Sequence, residues 1–360
     1  MITQLTLHDF TVFAEATVNF GALNVIHGEN SSGKTHLLKV AYCLAAALAP
    51  RPNEAAPERP TKVWLEGTLG QKFVGVFRPE RNKIGRLTRR VHGTKTASVS
   101  ASFKRYAARP VPLKRSTSPS PNRLSFSFNI RADRAVRVDD IPPRWLPQAP
   151  IYLPTRELLS VYPGFVSLYE TQAVPFDETW RDTCLFLGAP VGRGAKKKEI
   201  AELLAPLEEA IGCKALLEGD RFFLKMKDPN AKVEADLVAE GYRKLSMVAR
   251  LIANGSLDDK GYLFWDEPEA NLNPRLIKRL APLLMDLARG GVQVFIATHS
   301  LFLMRELEIE QAKRRKKVPT RYIGLAPDGH GVTVSQGDEI DDSGDIVALD
   351  ENLQQSERYL

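Results

Sequence analysis

Gly28-Glu29-Asn30-Ser31-Ser32-Gly33-Lys34-Thr35 is a complete G-x-x-x-x-G-K-T run, preceded by the apolar stretch Leu23 to Ile26 and followed by the helix-like stretch His36 to Leu48. A strand, a glycine-bounded loop and a helix in that order make a phosphate cradle. The glycines let the backbone fold round a phosphate chain, so that main-chain N–H groups and the helix N-terminus face negative charge. Asn30, Ser31, Ser32, Gly33, Lys34, Thr35 and His36 are therefore the expected nucleotide-binding set. Lys34 is expected on the β- and γ-phosphates, and Thr35 is expected to give Mg²⁺ a hydroxyl ligand. A Gly-Ser turn that merely precedes Lys-Thr is disfavoured by the flanking strand and helix. The loop alone does not say what hydrolysis is used for.

A matching half lies more than two hundred residues downstream, where the apolar strand Tyr262-Leu263-Phe264-Trp265 ends in Asp266-Glu267-Pro268-Glu269. Asp266 has the position for holding Mg²⁺, and Glu267 for orienting and deprotonating an attacking water. Beyond it, Val294 to Ala297 is a second buried strand, running into Thr298-His299-Ser300. A histidine past the end of a strand can reach a γ-phosphate, and the next βαβ crossover brings His299 beside the acidic strand.

A chain of 360 residues with 43% hydrophobic content can bury a full α/β core, which excludes disordered and fibrous classes. Cys43, Cys184 and Cys213 are far apart and unpaired in pattern, reading as reduced core thiols and pointing to the cytoplasm. The start lacks a basic-then-apolar leader and no segment reaches about 18 uninterrupted apolar residues, so neither export nor a membrane partner is expected. The net charge of +7 is unevenly spread: Arg78 to Arg115 carries twelve cations against Glu80 alone. That block suits nucleic acid phosphates, a solvated surface or an acidic partner equally well. Arg109 to Pro121, rich in proline and serine, reads as a loop.

Alternation in Ile2 to Phe10 and Ala16 to Phe20 predicts a hairpin leading into the phosphate-loop strand. After Pro50 to Pro60, the runs 62–69, 72–77, 97–103 and 123–130 read as strands of an antiparallel layer. Ile151 to Pro154 reads as a return strand, Leu158 to Cys213 as helical, and 215–225 and 233–238 as two further strands. Helices and strands then alternate, the rhythm of a mostly parallel sheet built from both ends of the chain. The expected divisions are an N-terminal lobe 1–157, a helical insertion 158–214, a C-terminal lobe 215–330 and an acidic tail 331–360. The tail is either a docking surface or a solubilising end.

Together these residues resemble the ABC-type ATPases of the SMC, RecF and OLD group, in particular the stand-alone bacterial AAA family ATPases of Septu and retron-associated antiphage systems. The resemblance rests on Gly28 to Thr35 as Walker A, Phe264 to Glu267 as Walker B, Ala270 to Asn273 as D-loop and His299 as switch histidine. Ala239-Glu240-Gly241-Tyr242-Arg243-Lys244 resembles the signature that crosses a dimer to the partner's ATP. The resemblance implies an ABC-type P-loop head, ATP and Mg²⁺ as cofactors, and a head-to-tail dimer or higher homo-oligomer. Catalysis then falls to Glu267, His299 and Lys34, with Gly241, Arg243 and Lys244 on the partner's nucleotide. The chain departs from the pattern at Ala239, where the signature serine is missing, and at Asn273, where the D-loop aspartate is missing. No Q-loop glutamine is evident, so Arg156 or Glu157 would take over metal or water contacts, Glu157 being the candidate third metal ligand beside Thr35 and Asp266.

The implied function is an ATPase that regulates a separately encoded effector, a nuclease or toxin, in antiphage defence. The residues after His299 are too few for a nuclease domain. The alternative is a RecF-like ATP-dependent DNA-binding protein in repair, using the basic region 78–115 on nucleic acid. A transporter subunit is disfavoured by the signature and Q-loop departures, and true SMC function by the lack of coiled-coil arms.

Overall fold

The computed structural model describes residues 1–49, 55–104, 122–191, 198–227, 231–257 and 261–359. Strands β1 (Ile2–Phe10) and β2 (Phe13–Asn19) form the expected hairpin, and β3 (Leu23–Gly28) leads through the glycine loop into α1 (Lys34–Ala47). Then come α2 (Lys62–Phe77), β4 (Thr96–Phe103), β5 (Arg123–Asn129), β6 (Arg137–Asp140) and β7 (Ile151–Leu153). Helices α3 (Phe165–Thr171), α4 (Glu178–Gly188) and α5 (Lys198–Ile211) precede β8 (Cys213–Glu218), β9 (Arg221–Met226) and β10 (Lys232–Glu234). The remainder is α6 (Glu240–Ala253), β11 (Tyr262–Asp266), α7 (Pro274–Arg289), β12 (Gln293–Ala297), α8 (Leu301–Lys313), β13 (Thr320–Pro327), β14 (Val332–Gly337) and α9 (Val347–Tyr359).

Among the described residues the strands form three sheets. The central one runs β14-β13-β3-β12-β11-β7, parallel throughout except for the β13–β14 hairpin at its edge. It draws two strands from before the helical segment and four from after it, as the two-ended rhythm predicts. Because side chains alternate along a strand, the sheet buries both faces. Tyr262, Phe264 and Phe295 enter one core with α1, α2 and the antiparallel sheet β2-β1-β4-β5-β6, while Leu263, Trp265 and Val294 enter another with the helices.

Three expectations are corrected. The runs 62–69 and 72–77 are not strands but the single helix α2, opened by Thr61, whose side chain accepts from Trp64 N. Its buried residues Leu65, Leu69, Phe73 and Val76 recur at helical spacing. Its glycines admit neighbours: a Cβ on Gly70 would stand 1.8 Å from Arg134 O. The segment 331–360 is not simply a tail, since β14 pairs with β13 in the central sheet and buried Ser343 meets His27 at 2.7 Å. Finally, β10 stops at Glu234, and 235–237 is a 3-10 turn rather than strand. The helical segment also shares one core with the C-terminal half, Leu204, Leu207 and Ile211 packing in the same cluster as Leu245 and Leu280.

Candidate active site

The loop between β3 and α1 adopts conformations that its sequence allows. Gly28 and Gly33 have φ of 142° and 95°, and a Cβ on Gly28 would meet Leu325 O at 2.2 Å. Lys34 folds back over the loop, its Nζ donating to Gly28 O at 2.9 Å and Glu29 O at 2.6 Å. Its ammonium is destabilised by burial and supported by Asp266, Glu267, Glu269 and Glu29, with burial prevailing. Ser32 Oγ and His36 Nδ1 are buried without a hydrogen-bond partner. A cradle of main-chain donors, a cation and an orphaned hydroxyl is what a nucleotide phosphate would satisfy, so the residues fit the group.

Parallel pairing of β11 and β12 beyond β3 carries the acidic strand end to this loop. Thr35 Oγ1 donates to Asp266 Oδ2 at 2.9 Å, closing the distance between two groups 231 positions apart. Burial holds the Asp266 carboxyl above its ordinary range, partly countered by the Thr35 hydroxyl. Thr35 and Asp266 are thus the pair able to hold Mg²⁺. Next to them Glu267 sits at φ 46°, strained for a non-glycine residue, and its Oε1 lies 3.6 Å from His299 Nε2. Both side chains are 37% exposed and open to an incoming ligand.

Other residues of this neighbourhood were not singled out from sequence. Glu269 Oε1 accepts from Thr298 Oγ1 at 2.6 Å and from His299 N at 3.1 Å, fixing the turn that carries the histidine. Tyr152 OH points at Asp266 Oδ2 at 3.4 Å from the neighbouring strand β7. The D-E-P-E run contained the signal for Glu269; nothing local marked Tyr152.

The signature-like segment is assembled differently from expectation. Ala239 precedes α6 with no side-chain cap, and a Cβ on Gly241 would stand 2.7 Å from Asn271 O, so glycine lets the helix approach the D-loop turn. Arg243 and Lys244, expected on a partner's phosphate, point into their own chain. Arg243 forms an ion pair with Glu157 at 2.8 Å and donates to Val238 O at 2.6 Å. Lys244 is fully buried, its Nζ donating to Glu267 O at 2.6 Å and Ala270 O at 3.2 Å. Burial pushes its pKa down to about 8. Glu157, expected as a metal ligand, is committed to Arg243 and to Leu159 N, Ser160 N and Ser160 Oγ. Arg243 and Lys244 are thus both held by acceptors of their own chain.

In the basic block, Lys83 pairs with Asp133 at 2.7 Å, Arg86 with Glu80, and Arg89 donates to His330 O. Arg105, Arg109, Lys114, Arg115 and the proline-serine loop lie outside the described residues. The three cysteines are buried and free. Among the described residues no helix is long and apolar enough to cross a membrane.

Comparisons with known proteins agree with this architecture. An SMC head bound to the C-terminal winged-helix domain of ScpA aligns over 93% of this chain and 97% of its own, with TM-score 0.52 and 14% identity. An SMC head with an extended coiled coil, bound to the C-terminal domain of ScpA and described as derived from Pyrococcus furiosus, aligns over 99% of both chains with TM-score 0.52 and 13% identity. At such identities the likeness shows an SMC head-like α/β fold. The DNA replication and repair protein RecF of Pediococcus pentosaceus is 43% identical over 53 residues, a stretch that covers 14% of each chain. Residues 23–305, from β3 past His299, match the family model described as "AAA domain, putative AbiEii toxin, Type IV TA system", and the chain belongs to that family of ABC-type AAA ATPases.

Proposed function

We propose that the protein binds ATP with Mg²⁺ at the loop 28–35, hydrolyses it between two head-to-tail copies, and thereby regulates a separately encoded effector in antiphage defence. The observation that carries the hydrolytic part is the convergence of Thr35 and Asp266 at 2.9 Å with the exposed Glu267–His299 pair one residue further on. Lys34, Ser32 and the loop N–H groups would hold the phosphates, and Thr35 with Asp266 would hold Mg²⁺, which neutralises developing phosphate charge. Glu267 Oε1 accepts the proton of the attacking water, and His299 beside it responds to the γ-phosphate. Glu269 keeps that histidine in place through Thr298 Oγ1 and His299 N.

The dimeric part is supported by the start of α6, where Ala239 leaves the helix N-terminus without a side-chain cap. Such an end favours an anion, here the partner copy's γ-phosphate met by backbone at Gly241. The inward commitment of Arg243 and Lys244 limits that contact to main chain. A family described by a toxin–antitoxin system supports a two-component arrangement in which the effector is a second protein.

Glu267→Gln protein incubated with ATP and Mg²⁺ should elute as a stable dimer with negligible hydrolysis, whereas Lys34→Ala should bind no ATP and stay monomeric. Hydrolysis at the wild-type rate by Glu267→Gln would overturn the assignment. Purification of the Glu267→Gln complex from its native host should co-purify the effector, and a nuclease or toxin there would fix its class.

A further inference from the structure

Away from the phosphate loop, a cleft of about 370 Å³ opens between α1, the end of α2 and the start of α4. None of residues 28–35 lines it. Its floor is the Lys39–Asp177 ion pair at 2.7 Å, with Lys39 also donating to Val76 O at 3.2 Å. One wall is aromatic: Phe176 and Trp180 pack with ring centroids 4.6 Å apart and are backed by Phe165, and Phe77 closes the cleft from α2.

Arg78 and Arg156 stand at the rim. Both are exposed, and no acidic partner, hydrogen bond or ring contact engages either guanidinium among the described residues. Arg78 ends α2 at φ 49°, ψ 52°, a left-handed position that glycine fills at less cost. The lining therefore carries three cations against Asp177, and only Lys39 is neutralised.

Two aromatic rings inclined at 40° to each other, beneath two free guanidinium forks, have the chemistry to take a planar ring against one of their faces, joined to a phosphate. Stacking on aromatic side chains holds a base without reading its sequence, and arginine binds phosphate by two parallel hydrogen bonds. The volume lies in the range of small-ligand sites and is too small for a duplex. We propose that this cleft is a second nucleotide-type site, taking one nucleobase against Phe176 and Trp180 and its phosphate between Arg78 and Arg156. The source is either a free nucleoside monophosphate or the phosphorylated end of a single strand. This site is separate from the hydrolytic reading and stands or falls apart from it.

The test uses full-length Lys34→Ala protein, in which the phosphate loop no longer contributes, titrated with each of the four common nucleoside monophosphates and with a short 5′-phosphorylated single-stranded oligodeoxynucleotide. Binding is followed by tryptophan emission and by equilibrium dialysis. Saturable binding of at least one probe is expected, with a quench that vanishes in Trp180→Phe. Affinity should fall on the order of tenfold in Arg78→Gly and in Arg156→Ala, each losing one phosphate contact. Arg78→Gly keeps the left-handed helix end, so its fold is preserved. Binding of a mononucleotide identifies the free ligand, and binding of the oligonucleotide alone identifies a strand end. Absence of saturable binding by every probe, or affinities unchanged in both arginine variants, would overturn the proposal.

Discussion

Replacing Lys244 by methionine tests whether the turn carrying Glu267 is braced from within the same chain. Methionine keeps the length and apolar stem of the side chain but removes the ammonium, whose Nζ holds Glu267 O at 2.6 Å and Ala270 O at 3.2 Å. A drop in pKa from the ordinary 10.5 to about 8 corresponds to roughly 3 kcal/mol by which the site disfavours the charged form. Removing the charge relieves that cost. Against it, Ala270 O loses a donor at about 1–3 kcal/mol, while Glu267 O retains the Ala270 N–H at 3.1 Å. The two contributions nearly cancel, so the variant should fold with stability within about 2 kcal/mol of wild type at neutral pH. Turnover should not survive so well. With Glu267 held at φ 46° by that brace, its release should lower kcat on the order of tenfold to a hundredfold. KM for ATP should change little, because the loop 28–35 is untouched.

The pH dependence gives an independent check. The folded-state pKa of Lys244 lies below its unfolded value, so between about 8 and 10.5 the unfolded chain binds more protons than the folded one. Stability contributed by this group therefore rises with pH across that window. Over the same window the wild-type ammonium loses its charge, its hydrogen bonds weaken and kcat should decline. Lys244→Met should lack both trends. Steady-state ATP hydrolysis and urea unfolding at neutral and alkaline pH would measure them. A Lys244→Met enzyme with wild-type kcat, or a stability difference independent of pH, would refute the bracing.

Asp266→Asn should bind Mg²⁺·ATP far more weakly, yet be more stable than wild type without metal at neutral pH. The raised folded-state pKa means the Asp266 carboxylate loses stability as pH rises above its ordinary value, and the amide escapes that loss; thermal melts with and without Mg²⁺ would show it. On α2, Gly70→Ala should cost about 1–3 kcal/mol, because its Cβ would lie 1.8 Å from a backbone oxygen. Gly67→Ala, with nothing within 4 Å, should instead stabilise by about 0.5–1 kcal/mol in the same urea titration. Equal effects at the two positions would contradict the packing described for this helix.

The phosphate loop and the acidic strand were legible because their chemistry demands a local order of strand, loop and helix that sequence displays directly. The distance closed by Thr35 and Asp266 followed from the parallel sheet, since β12 and β11 run parallel to β3 and end at the same edge. What misled was any property set by the neighbours rather than by the segment. In 62–77 the short alternating runs read as strands, whereas the segment is one helix in which Gly70 and Gly75 admit Arg134 and Glu178. β14 lay hidden in an acidic stretch, because an edge strand needs only one apolar face and its partner β13 supplies the rest.

The inward course of Arg243 and Lys244 bears on how the site works. On α6 the first turn offers backbone without a side-chain cap, while the second turn drives Arg243 and Lys244 inward. One contacts Glu157, just past β7, and the other contacts the turn after β11. The helix is thus clamped to the segment after β7 and to the turn after β11 that carries Glu267. Any ligand or partner that displaces the start of α6 must shift the backbone of Glu267 with it, because a buried ammonium cannot surrender its acceptors without a cost of several kcal/mol. On the proposed reading, engagement of a second copy at Gly241 and the placement of the hydrolytic glutamate are therefore one mechanical event rather than two. That coupling lies within a single chain and needs no Q-loop glutamine.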